Sequence, residues 1–66
     1  MSDTLEKDIQ ALQKLVNLIS KLDIRVRGSI RTANADYEIE TYFDEVIVED
    51  ASGDDVVRAE IETYDT

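Results

Sequence analysis

The side chains of this sequence that could take part in chemistry are mostly carboxylates. The chain has 66 residues, with 16 Asp and Glu, 7 Lys and Arg, and neither His nor Cys. General acid–base catalysis near neutral pH usually uses His, and a carboxyl group can replace it only where burial raises its pKa. The carboxylates here fall at predicted solvent-facing strand positions and in loops. We therefore expect a protein that binds a partner, with no catalytic residue, no enzymatic activity and no cofactor.

One loop gathers carboxylates around a glycine and could be considered for a cation. Asp50, Asp54 and Asp55 surround Ser52-Gly53. Ca²⁺ takes oxygen ligands, but the spacing differs from that of the helix-loop-helix calcium site and the closing Glu is missing. The sequence therefore predicts a hairpin loop here and no metal site.

The first part of the chain carries apolar residues at the spacing of an α-helix. The stripe consists of Leu5, Ile9, Leu12, Val16 and Ile19, widened by Leu15 and Leu22. Steps of three and four residues place such side chains on one helix face. We predict a helix over residues 4–21 whose stripe covers a sheet. The alternative is a stripe that pairs between copies of the chain, which leaves a homo-oligomer open.

The period then changes to two, which is typical of half-buried strands. We predict strands at about residues 22–32, 37–49 and 56–64. The alternation changes phase near Asp44, where no Gly or Asn marks a turn. One long strand with a bend there is preferred to two short strands. The fold class is α+β: one domain over residues 1–66, with an N-terminal helix packed on an antiparallel meander of three strands, or four if the chain reverses near residue 44.

The apolar rows of the first two strands restrict how these strands pair. Ile30 must lie opposite Tyr37 or Ile39 for the rows to meet on one face, because opposed residues share a sheet face. Either register places the arginines of the first strand opposite or near the glutamates of the second. Part of the acidic face should therefore be neutralised.

Charge is unevenly distributed along the chain. Residues 1–33 hold six basic and four acidic residues, a net charge of +2, whereas residues 34–66 hold twelve acids and Arg58, a net charge of −11. An acidic surface that served only solubility would extend over the helix as well. The segregation therefore favours a dedicated acidic binding surface.

We predict that this surface includes two tyrosines, which combine apolar area with a hydroxyl group and are frequent in interfaces. The predicted partner-binding residues are Glu38, Glu40, Tyr42, Glu45, Glu49, Asp50, Asp54, Asp55, Glu60, Glu62 and Tyr64.

The net charge of −9 also restricts the kind of partner. Nucleic acid and anionic lipid repel such a chain, so we expect no direct binding to nucleic acid or membrane. A basic nucleic-acid-binding protein has the complementary surface. No basic segment followed by an apolar run is present, and the longest apolar run is a few residues, which predicts a cytoplasmic protein.

In size, acidity, lack of Cys and helix-plus-meander layout, the chain resembles small phage-encoded inhibitors of the anti-CRISPR and anti-restriction type. Several members of that class are DNA mimics. The resemblance covers the whole chain and is one of type, because these inhibitors share no sequence motif. It implies an inhibitor that occupies a basic DNA-binding groove, for example on a CRISPR effector subunit, in the host cytoplasm.

Two other functions agree with the same sequence. One is an antitoxin- or immunity-type protein that neutralises a basic partner. The other is a small acidic structural or oligomerising protein without a dedicated acidic site. A neighbouring toxin gene would indicate the first, and a salt-insensitive dimer that retains no basic partner would indicate the second.

Overall fold

A computed structural model describes residues 3–61, with side chains from residue 5. It consists of helix α1 (Asp3–Leu22) followed by strands β1 (Arg27–Arg31), β2 (Asp36–Tyr42), β3 (Glu45–Asp50) and β4 (Asp55–Glu60). The strands form one antiparallel sheet in the order β1-β2-β3-β4. The predicted α+β class is confirmed, and the meander has four strands.

The core lies between α1 and the inner face of the sheet. The helix lies across β3 and β4, and Val16, Val46 and Val48 are completely buried at this contact. The other buried apolar residues are Leu12, Ile19, Tyr37, Ile39, Val57 and Ile61. The predicted helix stripe thus enters the core only in part, since Leu5, Ile9, Leu15 and Leu22 are exposed.

The helix ends later, and the first strand starts later, than the sequence predicts. Asp23 adopts a left-handed backbone with φ of 55°, and its N–H donates to the carbonyl of Ile19 at 3.1 Å. A left-handed residue after the last turn is a common way to end a helix. The strand expected from residue 22 consequently begins at Arg27.

The single bent strand expected over residues 37–49 is wrong. The chain reverses through Phe43 and Asp44, so that Tyr42 lies opposite Glu45 and two strands replace one. Two-residue hairpin turns need positive φ, which normally selects Gly or Asn. Here Phe43 takes that conformation with φ of 56°. The absence of Gly and Asn therefore did not exclude a turn.

The predicted pairing of the first two strands is confirmed. Ile30 lies opposite Tyr37 on the inner face, and Arg27 lies opposite Glu40 on the outer face. The last predicted strand is β4, and the part of it assigned to residues 62–64 lies outside the described residues.

The backbone at Phe43 gives a prediction about stability. A left-handed backbone strains any residue with a Cβ atom but not glycine. Phe43→Gly and Phe43→Ala both remove the ring, but only Phe43→Gly relieves this strain. We expect the glycine variant to be more stable than the alanine variant by about 1 kcal/mol in urea unfolding.

The same pair of substitutions at Tyr42, where the backbone is an ordinary strand, serves as the control. There the order should reverse, because glycine weakens a strand relative to alanine. An alanine variant at position 43 that is as stable as the glycine variant would contradict a left-handed backbone conformation at Phe43.

Candidate functional site

The outer face of the sheet, turned away from α1, carries a row of carboxylates that crosses three strands. Glu38 on β2 lies opposite Glu49 on β3, and Glu49 lies opposite Asp55 on β4. We call these three residues the acidic row. Neighbouring strands are about 4.8 Å apart, so the three residues stand side by side across the sheet. The pairing of β3 with β4 shifts by one residue between Val48 and Glu49, which brings Asp55 opposite Glu49. Like charges directly opposite one another destabilise a sheet, so this arrangement does not serve the fold.

A second like-charged pair lies nearer the β2–β3 turn. Glu45 on β3 faces Glu60 on β4, and Tyr42 on β2 faces Glu45 from the other side. Between this pair and the acidic row is Arg58, whose guanidinium lies 2.6 Å from Asp55 and 3.7 Å from Glu45. Arg58 thus offsets part of the negative charge on β3 and β4.

The β1 side of the outer face is closer to neutral. Arg27 lies opposite Glu40, and the Arg31 guanidinium pairs with Asp36 at 3.0 Å. The unbalanced negative charge is therefore concentrated on β2, β3 and β4.

The loop between β3 and β4 is held by Asp50, the last residue of β3. The Asp50 carboxylate accepts hydrogen bonds from the backbone N–H groups of Ser52 at 2.9 Å and Asp54 at 3.0 Å. Gly53 has φ of 90°, a conformation open to glycine. Asp50 is half-buried and committed to this turn, whereas Asp54 is exposed. Within residues 3–61, no group of three or more possible ligands is placed to hold a metal ion.

The structure brings most of the predicted partner-binding residues onto one face. The outer face holds Glu38, Glu40, Tyr42, Glu45, Glu49, Asp55 and Glu60. Asp50 is the last residue of β3, opposite the buried Tyr37, and Asp54 lies in the adjoining loop. Glu62 and Tyr64 lie outside the described residues.

Phe43 falls within the single strand predicted over residues 37–49, on the same parity as Tyr37 and Ile39, whereas the structure places it in a turn with its ring 80 % exposed. The ring packs edge-on against Tyr42 with centroids 4.7 Å apart. The Arg25 guanidinium donates to the Phe43 carbonyl at 2.7 Å and holds the turn. The change of phase after Phe43 was the signal in the sequence that could have revealed this position.

A buried polar cluster joins α1 to the β1–β2 loop, and it too could not be predicted from the residue pattern. Asp8 is only 7 % exposed. Its carboxylate accepts hydrogen bonds from Thr32 at 2.8 Å, Asn34 at 3.0 Å and the Tyr37 hydroxyl at 3.0 Å. Asp8 occurs seven residues before Leu15, on the flank of the helix stripe, but periodicity alone gives no partner for a carboxylate.

The pKa values of this cluster follow from its contacts. The hydrogen bond from Thr32, helped by those from Asn34 and Tyr37, lowers the pKa of Asp8 below its ordinary 3.8, and burial opposes that shift. Burial is also the main reason that the pKa of Tyr37 is raised above its ordinary 10.0, with Asp8 and Asp50 adding to the shift. The Asp8 carboxylate is thus ionised and accepts hydrogen bonds from neutral donors. Such a cluster is suited to connecting the helix to the loop.

These features define a small α+β protein with an acidic outer sheet face. Comparison with protein-family models, with curated proteins and with solved structures found no match. Helix α1 is too polar to cross a membrane, and it is the single helix among residues 3–61.

Proposed function

We propose that the protein is a DNA-mimic inhibitor that binds the basic groove of a nucleic-acid-binding protein. It acts by binding and not by catalysis. The proposed targets include a CRISPR effector subunit, as for anti-CRISPR proteins, and the proposed site of action is the cytoplasm of the host cell in which a phage would express it.

The observation that supports the proposal most strongly is the acidic row. Glu49 has a carboxylate on each side, Glu38 on β2 and Asp55 on β4. Such pairs cost stability in the free protein. A basic groove would remove that cost on binding, because its Lys and Arg side chains would lie between the carboxylates.

The spacing of the carboxylates also suits mimicry. The strands that carry the acidic row are about 4.8 Å apart, and alternate residues along one strand, such as Glu38 and Glu40, are about 6.7 Å apart. Duplex DNA carries one charge per roughly 1.7 Å of its axis over two strands, or 3.4 Å per strand. The face is less dense than DNA, but it is a rigid array of negative charge that a groove built for phosphates can bind.

The proposed mechanism is steric and electrostatic competition with DNA. Opposite charges accelerate association, and the resulting complex weakens as salt screens them. Tyr42 and Phe43, exposed beside Glu45, would add apolar contact area at the edge of the interface.

The proposal is tested by affinity capture from host lysate, with elution along a salt gradient and identification by mass spectrometry. We expect one nucleic-acid-binding protein that is released at moderate salt and displaced by added DNA. A Glu38→Gln/Glu49→Gln bait should retain much less of it.

A matched control makes the same change of charge on the helix side. Glu6 and Asp23 are exposed there, and Glu6→Gln/Asp23→Asn should capture as well as the wild type. Recovery of nothing, or of many basic proteins equally by all three baits, would mean that the acidic face serves only solubility.

A further inference from the structure

The helix exposes a second apolar face that the core does not use. Leu18 is 56 % exposed and Leu22 is 58 % exposed, and Leu15 and Ala11 are exposed as well. Their spacing of four, three and four residues places them in one line along the helix. We call these four residues the leucine stripe. It lies beside the buried Leu12, Val16 and Ile19 and is distinct from them.

Two contacts determine the direction in which the leucine stripe faces. Asp8 reaches the β1–β2 loop, whereas Gln13 donates to the carbonyl of Arg58 on β4. Leu15 and Leu22 follow Asp8 by seven and fourteen residues. Because seven residues make nearly two full turns, all three lie on nearly the same side of the helix. The leucine stripe therefore faces the β1 side of the sheet, away from β4.

Within residues 3–61, α1 makes no contact with β1, the strand on the side that the stripe faces. The helix covers β3 and β4, and a Cβ atom built on Gly28 would have nothing within 4 Å. Gly28 shares the inner face with the half-buried Ile30. Ile30 packs against the edge of the core. Among the residues that the structure describes, the leucine stripe and the inner face of β1 thus form two sides of one uncovered apolar surface, which we call the helix–β1 surface.

A row of lysines borders the leucine stripe. Lys7, Lys14 and Lys21 are exposed and recur every seven residues. Lys14 and Lys21 directly precede Leu15 and Leu22 in the sequence. In a coiled coil, residues at such positions flank the apolar seam, and their charge selects the charge of the partner helix. This edge is positive although the whole chain is strongly negative.

We propose that the helix–β1 surface binds an amphipathic helix of a partner protein, with leucine-like residues on its apolar face and Asp or Glu along its edge. The apolar faces pack together, and the carboxylates lie beside Lys7, Lys14 and Lys21. This surface is separate from the acidic row, so the inference does not depend on the proposed function.

Charge selects this occupant over the alternatives. A second copy in antiparallel pairing would bring Lys7 of one chain towards Lys21 of the other, which is unfavourable. The acidic outer face lies on the far side of the sheet from α1, and the helix alone is about 10 Å wide. The distance from the lysines to that face therefore exceeds the Debye length of about 8 Å at physiological salt, so the lysines determine the electrostatic potential beside the leucine stripe.

The inference is tested with two synthetic 21-residue peptides with Leu at both seam positions. One has Glu at the flanking positions and the other has Lys. We expect the Glu peptide to shift backbone amide resonances of residues 11–22 and 26–30 in ¹⁵N spectra, and the Lys peptide to shift none of them. Because three exposed ion pairs are lost, Lys7→Gln/Lys14→Gln/Lys21→Gln should weaken binding about tenfold.

The control changes net charge equally on the outer face, with Arg27→Gln/Arg31→Gln/Arg58→Gln, and should bind the Glu peptide within about twofold of the wild type. Three outcomes would overturn the inference. The first is that both peptides bind equally well, or that neither peptide binds at millimolar concentration. The second is a salt-insensitive dimer in light scattering that Leu18→Ser abolishes, since a second copy would then cover the surface. The third is capture of the protein by phosphatidylserine vesicles without binding of the Glu peptide.

Discussion

Replacing Asp8 with alanine is expected to lower the thermal unfolding midpoint by roughly 10 °C or more, the largest effect on stability that we predict. The substitution removes the acceptor of three side-chain hydrogen bonds, from Thr32, Asn34 and Tyr37. Tyr37 is only 3 % exposed, so its hydroxyl would remain buried without that acceptor. The link between α1 and the β1–β2 loop would be lost as well. Circular dichroism melting measures the effect.

Glu6→Ala provides the control, because it removes one carboxylate from an exposed position of the same helix. Its midpoint should change by no more than a few degrees. If Asp8→Ala melted within that range too, the buried cluster would not hold the fold together.

The contribution of Asp8 should also depend on pH in a defined direction. Its pKa is lower in the folded protein than the ordinary 3.8. A carboxylate of this kind contributes stability that is fully present above the ordinary value and is lost as pH falls through the lower, folded value. The difference in unfolding free energy between the wild type and Asp8→Ala should therefore be constant above about pH 5 and shrink towards pH 2. A difference that grew on acidification would contradict the assignment.

Glu49→Lys is expected to stabilise the protein and to weaken binding of its basic partner strongly. Glu49 lies between Glu38 and Asp55, so lysine converts two repulsive cross-strand pairs into attractive ones. The expected gain in stability is about 1 kcal/mol. In the complex, the same lysine would face the cations of the partner's groove, and we expect affinity to fall roughly a hundredfold.

The two effects have opposite directions, which makes the test specific. A binding defect caused by misfolding would lower both the stability of the variant and its affinity for the partner. Urea unfolding measures the first and titration with the captured partner measures the second. Glu6→Lys, with the same change of charge on the helix, should leave affinity nearly unchanged. Loss of stability in Glu49→Lys, or retained binding in a stable variant, would contradict a functional acidic row.

Elements with strong periodicity could be predicted from the sequence. The buried Leu12, Val16 and Ile19 follow from the helix period, and the pairing of Ile30 with Tyr37 follows from the match of apolar rows. The turn at Phe43 could not be predicted, because a bulky residue rarely takes positive φ and the local preference was overridden by the pairing of β2 with β3.

The candidate site was predictable to the level of a strand face. Alternation indicated that Glu38, Glu40 and Glu49 point away from the core, as the structure places them. Which carboxylates lie opposite one another depends on the register of three strands, and that register depends on the unforeseen turn. Leu15 and Leu22 of the leucine stripe were assigned to the core, because a pattern of leucines does not indicate how far a sheet extends beneath it.

The measurement that tests the proposed function most directly is an equilibrium competition with DNA. A labelled DNA duplex is titrated with the captured nucleic-acid-binding protein at several fixed concentrations of the proposed inhibitor. The fluorescence anisotropy of the duplex reports how much DNA is bound. We predict that the apparent Kd for DNA rises in proportion to inhibitor concentration without limit, and that Glu38→Gln/Glu49→Gln requires much higher concentrations. An apparent Kd that reached a plateau, or that did not change, would show that DNA and this protein bind together, and would contradict DNA mimicry.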